Sequence, residues 1–190
     1  MLIVGGGAVA RMYQKAAAGL SDLSDEDKDW LGIRATRLTA QFLQAILGSS
    51  AYPRLLTNPE ESLRASDLRK YDFFIGAGWR PGASTDYVAF RWAQNVGARS
   101  VLIATTISHV YDKDVGVYKD ARPIDELSWD DYIKLVGAKW TPGMKAPVDP
   151  IAAQFARQND MSAVVLRGTN IRNMRRYMNG EAFEGTTIRP

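Results

Sequence analysis

The sequence predicts an α/β protein, a three-layer sandwich in which helices cover both faces of a largely parallel sheet. Four short apolar stretches are typical of buried strands: residues 2–4, 72–76, 100–104 and 163–166. Segments with helix start and stop signals separate them, and strands that alternate with helices favour a parallel sheet. The content of 46% apolar and 24% charged residues is that of a globular chain and excludes general disorder. At this length we expect one domain, spanning 1–190.

The first half of the chain carries clear helix signals. Ser24, followed by three acidic residues, is a good N-cap, and Pro59 suits the first turn of a helix. The predicted helices of this half are residues 8–19, 24–47, 59–69 and 86–96. In the longest of them, five apolar residues are spaced for one buried stripe: Trp30, Ile33, Leu38, Phe42 and Ile46.

The second half continues the alternation. Helices are predicted at residues 128–136, from 149 onward and at 170–178, with Ser128 and Asp149 at their starts. Two stretches, 105–120 and 138–148, are predicted as loops. The tail over 185–188 is predicted as an edge strand.

The composition excludes several classes of site. With no cysteine, the chain has no disulfide, thiolate metal site or cysteine nucleophile. His109 is the only histidine, which excludes multi-histidine metal centres and argues against a Ser-His-Asp triad. The net charge of +3 is too small and too scattered to indicate nucleic-acid binding. Neither a membrane span nor a signal peptide is recognisable, so we expect a soluble, cytoplasmic protein.

The glycines at 5–7 join the first strand to the first helix. Backbone N–H groups and the helix dipole of such a turn suit a phosphate group, to which Arg11 would add positive charge. Gly5, Gly7 and Ala10 also satisfy a dinucleotide-binding fingerprint, but no second strand ending in an acid follows at the required distance. A mononucleotide phosphate site is favoured, with a dinucleotide site and a purely structural turn as alternatives.

Two further segments follow the second and third predicted strands. Residues 76–86 form a glycine-rich loop that ends in Ser84, Thr85 and Asp86, which suits phosphate or sugar oxygens and equally suits plain helix capping. Thr105 and Thr106 follow the third strand. Beyond them, Tyr111 is suited to stack on a base and Asp114 to bind a ribose or lie near Mg²⁺, with a solvated charged turn as the alternative. No Walker A motif is present.

Six segments in chain order carry a family resemblance: residues 4–11, 29–38, 78–86, 110–114, 146–153 and 185–188. On these segments the chain resembles the archaeal-type uridylate kinases (UMP kinases) of the amino-acid-kinase superfamily, over nearly its whole length. The resemblance implies an enzyme of pyrimidine nucleotide biosynthesis. Such an enzyme transfers the γ-phosphoryl group of ATP, with Mg²⁺, to UMP and releases UDP and ADP.

The resemblance also implies site residues. Positions that match UMP contacts are Gly6, Asp29, Trp79, Arg80, Pro81, Gly82, Ala83, Ser84 and Thr85. Positions that match ATP contacts are Gly7, Arg11, Thr105, Thr106, Tyr111 and Asp114. No catalytic residue is implied, although Arg11 is a candidate, and no metal site formed by the protein is implied. The family's usual assembly implies a homo-oligomer, a dimer or hexamer joined through the helix over 25–47.

Two departures from the family pattern stand out. Ser108-His109 replaces an Asp-Gly pair that many members carry before Val-Tyr. The family also begins with a strand, a Gly-Gly-Ser loop and a helix that have no counterpart before residue 2. A fragment or a degenerate member is therefore expected, with weak UMP binding and little turnover. The alternatives to a kinase are a non-catalytic nucleotide-binding protein of the same fold and, on the glycine fingerprint alone, a dinucleotide-dependent oxidoreductase.

Overall fold

The computed structural model describes residues 1–137 and 146–190. These residues form two compact units, Met1–Val96 and Gly97–Pro190. Most of the predicted loop over 138–148, including Trp140, lies outside the described residues. Among the helices that are described, none is long and apolar enough to cross a membrane.

The N-terminal unit is built on short parallel strands. Its elements are β1 (Leu2–Ile3), α1 (Gly7–Ala18), α2 (Asp25–Leu47), a 3-10 turn (Gly48–Ser50), α3 (Ala65–Lys70), β2 (Ile75–Gly76) and α4 (Thr85–Asn95). Leu2 lies opposite Ile75 in the parallel pair of β1 and β2. Single parallel bridges from Ala51 to Phe73 and from Leu56 to Gly76 extend the sheet on the other side of β2. The strand β2 spans only Ile75–Gly76, so it is shorter than the strand predicted over 72–76.

Helices cover both faces of this small sheet. On one face, Ala40 of α2 packs with Ile75 and Ala77. On the other face, Val88 and Trp92 of α4 form a second cluster: Leu56, Phe74, Trp79, Val88 and Trp92. Burial of large apolar side chains of this kind contributes about 1.5–3 kcal/mol each. The arrangement gives the predicted order of helix, sheet and helix.

The buried face of α2 differs from the predicted apolar stripe. The helix begins as predicted, because the hydroxyl of Ser24 accepts a hydrogen bond from the backbone N–H of Asp27 at 3.1 Å. Three bulky members of the stripe nevertheless lie in solvent, with exposed fractions of 64–66%: Leu38, Phe42 and Ile46. Small residues such as Ala35 and Ala40 form the buried face instead. Side-chain spacing fixes which residues share a face, but not which face the fold covers.

The helix predicted over 59–69 is also wrong in its first half, since α3 begins only at Ala65. The cause is Asn58, whose side-chain oxygen accepts the backbone N–H of Glu60 at 3.0 Å. Its carbonyl oxygen accepts the N–H of Glu61 at 3.1 Å. An asparagine that binds its own neighbouring backbone in this way favours a turn over a helix.

The C-terminal unit contains a longer sheet. Its elements are β3 (Ser100–Thr105), β4 (Val110–Tyr111), β5 (Pro123–Ile124), β6 (Glu126–Ser128), α5 (Trp129–Val136), α6 (Pro150–Gln158), β7 (Ser162–Arg167), α7 (Ile171–Met178) and β8 (Thr186–Arg189). The strand order is β3-β7-β8-β6, in which β3 is parallel to β7 over six residues and β6 is parallel to β8. Only β8 against β7 is antiparallel within this sheet.

The tail is an inner strand of this sheet and not the predicted edge. The reason is β6, whose three residues include two polar ones and give no strand pattern in the sequence. The short antiparallel pair of β4 and β5 was not predicted either, and β4 lies in the stretch 105–120 that was predicted as a loop. The predicted N-caps are confirmed, since Ser128 and Asp149 accept backbone N–H groups of α5 and α6.

Candidate functional site

A cleft in the N-terminal unit brings together five of the residues predicted to contact UMP. It has a volume of about 140 Å³. The predicted residues that line it are Gly6, Asp29, Arg80, Ala83 and Thr85. Five further residues complete the lining: Gln14, Gly32, Ile33, Thr36 and Gly78. The cleft therefore lies where α1, α2 and the loop after β2 meet.

The glycine turn opens one end of the cleft. Gly6 precedes α1, and no side chain caps the helix start. A side chain at Gly6 would come within 2.6 Å of the Ala10 Cβ, so only glycine fits there. Gly7 has a φ of +54°, which glycine adopts without strain. With no acidic residue in its first turn, the helix start presents uncapped N–H groups and a positive dipole end to an anion.

Three side chains of α2 fasten the loop over 78–85. Thr36, which is 4% exposed, accepts the N–H of Gly78 at 2.8 Å and donates to the carbonyl of Ile33 at 2.7 Å. Arg37 donates from Nε to the Gly78 carbonyl at 3.2 Å and from Nη2 to the Trp79 carbonyl at 3.0 Å. Asp29 Oδ2 accepts the N–H of Gly82 at 2.7 Å. These bonds fix the loop backbone before any ligand arrives.

The guanidinium of Arg37 is partly withdrawn from water by these contacts. Burial, and to a lesser extent the positive charge of Arg34, lowers the pKa of Arg37 from its ordinary value. An arginine still remains cationic at any physiological pH. Its hydrogen bonds to two carbonyl oxygens are therefore charge-assisted, which makes them stronger than neutral ones.

Some residues of the loop over 78–85 stabilise the fold, and others line the cleft. The ring of Trp79 is 8% exposed and belongs to the core, where the guanidinium of Arg80 stacks on it at 4.0 Å from the ring centre. Ser84 caps α4 by accepting the N–H of Tyr87 at 3.0 Å. Ser84 therefore caps the helix, and its predicted contact with UMP stays a prediction, while Thr85 lines the cleft. Pro81 and Gly82 lie on the loop but do not line the cleft.

Gln14 is a cleft residue that the sequence reasoning missed. Its Nε2 donates to the carbonyl of Lys28 at 2.8 Å, so α1 is tied to the start of α2. A side chain at Gly32 would come within 3.0 Å of this Nε2, so the glycine makes room for the amide. No motif pointed to Gln14, whereas Gly32, Ile33 and Thr36 belong to the segment 29–38 that carried the family resemblance.

The residues predicted to contact ATP are divided between the two units. Gly7 and Arg11 belong to the N-terminal unit, where Arg11 is exposed on the second turn of α1. The other four belong to the C-terminal unit: Thr105, Thr106, Tyr111 and Asp114. There Thr105 ends β3, and its carbonyl accepts the N–H of Gly168, which follows β7.

Within the C-terminal unit, the last two of these residues are held by local bonds. Asp114 is exposed, and its Oδ1 accepts the N–H of Gly116 at 2.8 Å. The hydroxyl of Tyr111 lies 3.1 Å from the hydroxyl of Ser108, which lies 3.1 Å from Nδ1 of His109. Ser108 and His109, the pair at the position of the Asp-Gly of the family pattern, are both 9% exposed, and Nε2 of His109 lies 3.6 Å from Oδ1 of Asp125.

No group of three or more histidine, aspartate or glutamate side chains in the described ranges is placed to hold a metal ion.

The profile of the amino acid kinase family matches residues 1–167. A uridylate kinase from Hyperthermus butylicus is 34% identical over 181 residues, which cover 95% of this chain and 79% of that relative. A uridylate kinase from Methanothrix thermoacetophila is 33% identical, over 99% of this chain and 83% of the relative. The crystal structure of uridylate kinase from Archaeoglobus fulgidus superposes with a TM-score of 0.81 at 30% identity, covering 98% of this chain and 82% of that one. These matches confirm the predicted fold and family resemblance: the chain belongs to the uridylate kinases of the amino acid kinase family.

Proposed function

We propose that this protein is a UMP kinase, which transfers the γ-phosphoryl group of ATP to UMP and forms UDP and ADP. The observation that carries the proposal is the cleft of the N-terminal unit. There a glycine turn, a cation and a carboxylate line one small space in a chain whose relatives are uridylate kinases. The reaction belongs to pyrimidine nucleotide biosynthesis.

UMP would occupy the cleft with its phosphate at the glycine turn. The uncapped start of α1 at Gly6, the guanidinium of Arg80 and the hydroxyl of Thr85 suit a phosphate. Asp29 uses one carboxylate oxygen for the loop, and within the described residues the other makes no hydrogen bond. That oxygen suits a ribose hydroxyl. Four predicted residues would shape the loop around the nucleotide: Trp79, Pro81, Gly82 and Ser84.

ATP would be held by the remaining predicted residues. Gly7 and Arg11 suit its phosphates, because one leaves the helix start open and the other is a cation on the same helix. Thr105, Thr106, Tyr111 and Asp114 suit adenine and ribose, through hydroxyl, aromatic and carboxylate groups. Magnesium would arrive with ATP, coordinated mainly by its phosphates and by water, which is the usual state of this ion at phosphoryl-transfer sites.

The chemistry needs positioning and charge more than covalent help. A phosphate oxygen of UMP attacks the γ-phosphorus, a new P–O bond forms, and the bond from that phosphorus to the β-phosphate oxygen breaks as ADP leaves. A phosphate monoester is already anionic near neutral pH, so no general base is required. Fixed cations and N–H groups lower the barrier by stabilising the charge on the phosphoryl group in transit. Arg11 is our candidate for this task.

The proposed domain organisation, oligomeric state and location are those that the family resemblance implies. One family profile spans residues 1–167, which supports a single catalytic domain over 1–190. The exposed apolar residues Leu38, Phe42 and Ile46 on α2 support a homo-oligomer joined through that helix. A cytoplasmic location agrees with a substrate pair of soluble nucleotides. Sedimentation at increasing protein concentration tests this proposal. A homo-oligomer should sediment as a species larger than one chain.

The decisive experiment measures binding and turnover separately. Calorimetry with UMP, CMP, AMP and GMP should show UMP bound at least about tenfold more tightly, equivalent to roughly 1.4 kcal/mol. Release of ADP and UDP from ATP and UMP then tests catalysis. Equal binding of AMP and UMP would remove the uridylate assignment. Selective UMP binding without any ADP release would identify a non-catalytic nucleotide-binding protein instead.

A further inference from the structure

We propose that Gln14 reads the edge of the uracil ring and so selects uridylate over cytidylate. This inference rests on the proposed function, because it places UMP in the cleft of the N-terminal unit. It goes further in assigning base selection to one side chain. Gln14 lies outside the segments that carry the family resemblance, and the site residues implied by that resemblance do not include it.

The helix α1 runs along the cleft, with Gly6 just before its first residue and Gln14 two turns further on. Gly6 and Gln14 are eight residues apart in sequence, which corresponds to about 12 Å between their backbones along a helix. Gly32 of α2 lies between them: its carbonyl oxygen is 4.0 Å from where a Gly6 Cβ would be, and its own Cβ would be 3.0 Å from Gln14 Nε2. On α2, Thr36 lies beside Gly6, and Lys28 bonds to Gln14. The two helices are therefore antiparallel along the cleft. If the phosphate lies at the glycine end, the base of a mononucleotide reaches the end at Gln14.

The ribose position agrees with this direction. Asp29 follows Lys28 directly and holds the loop at Gly82. It therefore lies at the same end of α2 as the carbonyl that binds Gln14. A carboxylate that binds ribose hydroxyls here leaves the base beside the amide of Gln14. No other amide side chain lines the cleft in the part of the chain that the structure describes.

The orientation of the Gln14 amide is fixed by its neighbour. A carbonyl oxygen only accepts hydrogen bonds, so the atom that faces the Lys28 carbonyl must be the NH₂ group of Gln14. Rotation of the amide by half a turn would place two oxygens against each other. Oε1, which makes no hydrogen bond within the described residues, is thereby kept as an acceptor. The second hydrogen of Nε2 remains as a donor beside it.

This pattern matches uracil and opposes cytosine. Uracil presents an N3–H donor next to the O4 acceptor, so it can pair with both the acceptor and the donor of the amide. Cytosine presents the reverse, an N3 acceptor next to an N4 amino donor. Because the Lys28 carbonyl prevents the amide from turning, cytosine would leave polar groups unpaired in the cleft. A site built to form a hydrogen bond rejects a ligand that cannot form it strongly.

The test is calorimetric binding of UMP and CMP to the whole chain and its variants. The wild-type chain should favour UMP at least about tenfold. Gln14→Leu and Gln14→Ala should bring the ratio of the two dissociation constants close to one, mainly by weakening UMP. Lys28→Ala is the matched control. It removes a side chain that ion-pairs with Asp25 but keeps the carbonyl that holds Gln14, so the ratio should not change.

Each outcome decides the matter. If both Gln14 variants remain folded by circular dichroism and keep the wild-type ratio, the proposal is overturned while the kinase assignment stands on UDP formation. A wild-type chain that forms UDP but binds UMP and CMP equally also overturns the proposal alone. A wild-type chain that binds no nucleoside monophosphate overturns both. Loss of the ratio in both Gln14→Leu and Gln14→Ala supports the proposal, whereas loss in only one of the two folded variants overturns it.

Discussion

The loop-fastening residues of the cleft and the side chains of Tyr111 and Asp114 in the C-terminal unit are held in different ways. In the cleft, the bonds that set the geometry join residues far apart in sequence: Arg37 to Gly78, 41 residues apart, and Asp29 to Gly82, 53 apart. In the C-terminal unit, the bonds at Asp114 and Tyr111 join residues two and three apart. The cleft therefore depends on tertiary structure, whereas these two side chains are held by their own turns.

Substitutions should therefore have different effects on folding and on binding in the two regions. In the cleft, a residue that fastens the loop contributes to folding and to UMP binding together, because the same bond serves both. In the C-terminal unit, a residue held by a local turn can be changed with little loss of overall stability, so its effect should appear mainly in ATP binding.

Arg37→Ala should have the largest effect. It removes charge-assisted bonds to the carbonyls of Gly78 and Trp79, which are worth about 1.5–3 kcal/mol for hydrogen bonds to a charged group. We expect the free energy of unfolding to fall by about 2 kcal/mol. The dissociation constant for UMP should rise about tenfold or more, because the loop loses its fixed position. Denaturant unfolding and calorimetry measure the two quantities.

The control is Arg34→Ala, which removes an exposed arginine of the same helix. That variant should change neither quantity appreciably. Arg37→Lys should recover part of the stability and little of the UMP affinity, since a single ammonium group cannot reproduce the forked contact. A variant Arg37→Ala that loses stability but binds UMP normally would show that the bonds are structural only.

Arg11→Ala should affect binding without affecting folding. Arg11 is exposed on α1, so its loss should leave the unfolding midpoint unchanged. If the guanidinium contacts ATP phosphates, the dissociation constant for ATP should rise about tenfold, because a charge-assisted contact is lost. Lys15→Ala, one turn further along the same helix, is the matched control. An unchanged ATP affinity in Arg11→Ala would leave Arg11 as an ordinary surface residue.

The sequence predicted where helices and strands begin better than it predicted which elements lie beside each other. The helix starts at Ser24, Ser128 and Asp149 were predictable because capping is local, and the structure shows each bond. The position of the tail strand was not, because β6 is short and largely polar. The exposure of Phe42 was not predictable either, since apolar spacing is the same whether a second surface covers the face or not.

The candidate site shows the same limit. Asp29, Arg80 and Thr85 were found through motifs, and the structure brings all three to one cleft. Gln14 belongs to no motif, and its place in the cleft follows from the packing of α1 against α2. Trp79 was correctly placed on the loop, but its ring serves the core. A motif identifies the segment, while tertiary packing decides which of its side chains reach the ligand.

Asp114→Ala should have the smallest effect and gives the sharpest test of the second region. Its carboxylate already accepts the N–H of Gly116, so one bond belongs to the turn and the rest is available to a ribose hydroxyl. We expect ATP affinity to fall about three- to tenfold, in line with the loss of a hydrogen bond worth about 0.5–1.5 kcal/mol. UMP affinity and the unfolding midpoint should stay the same. Asp114→Asn should keep the turn, because its amide oxygen can accept the same N–H. Asp120→Ala is the control, because it removes a nearby exposed carboxylate. A loss confined to UMP would mean that the two nucleotide assignments are exchanged. A large loss of stability would mean that the Asp114 side chain contributes to folding as the residues that fasten the cleft loop do.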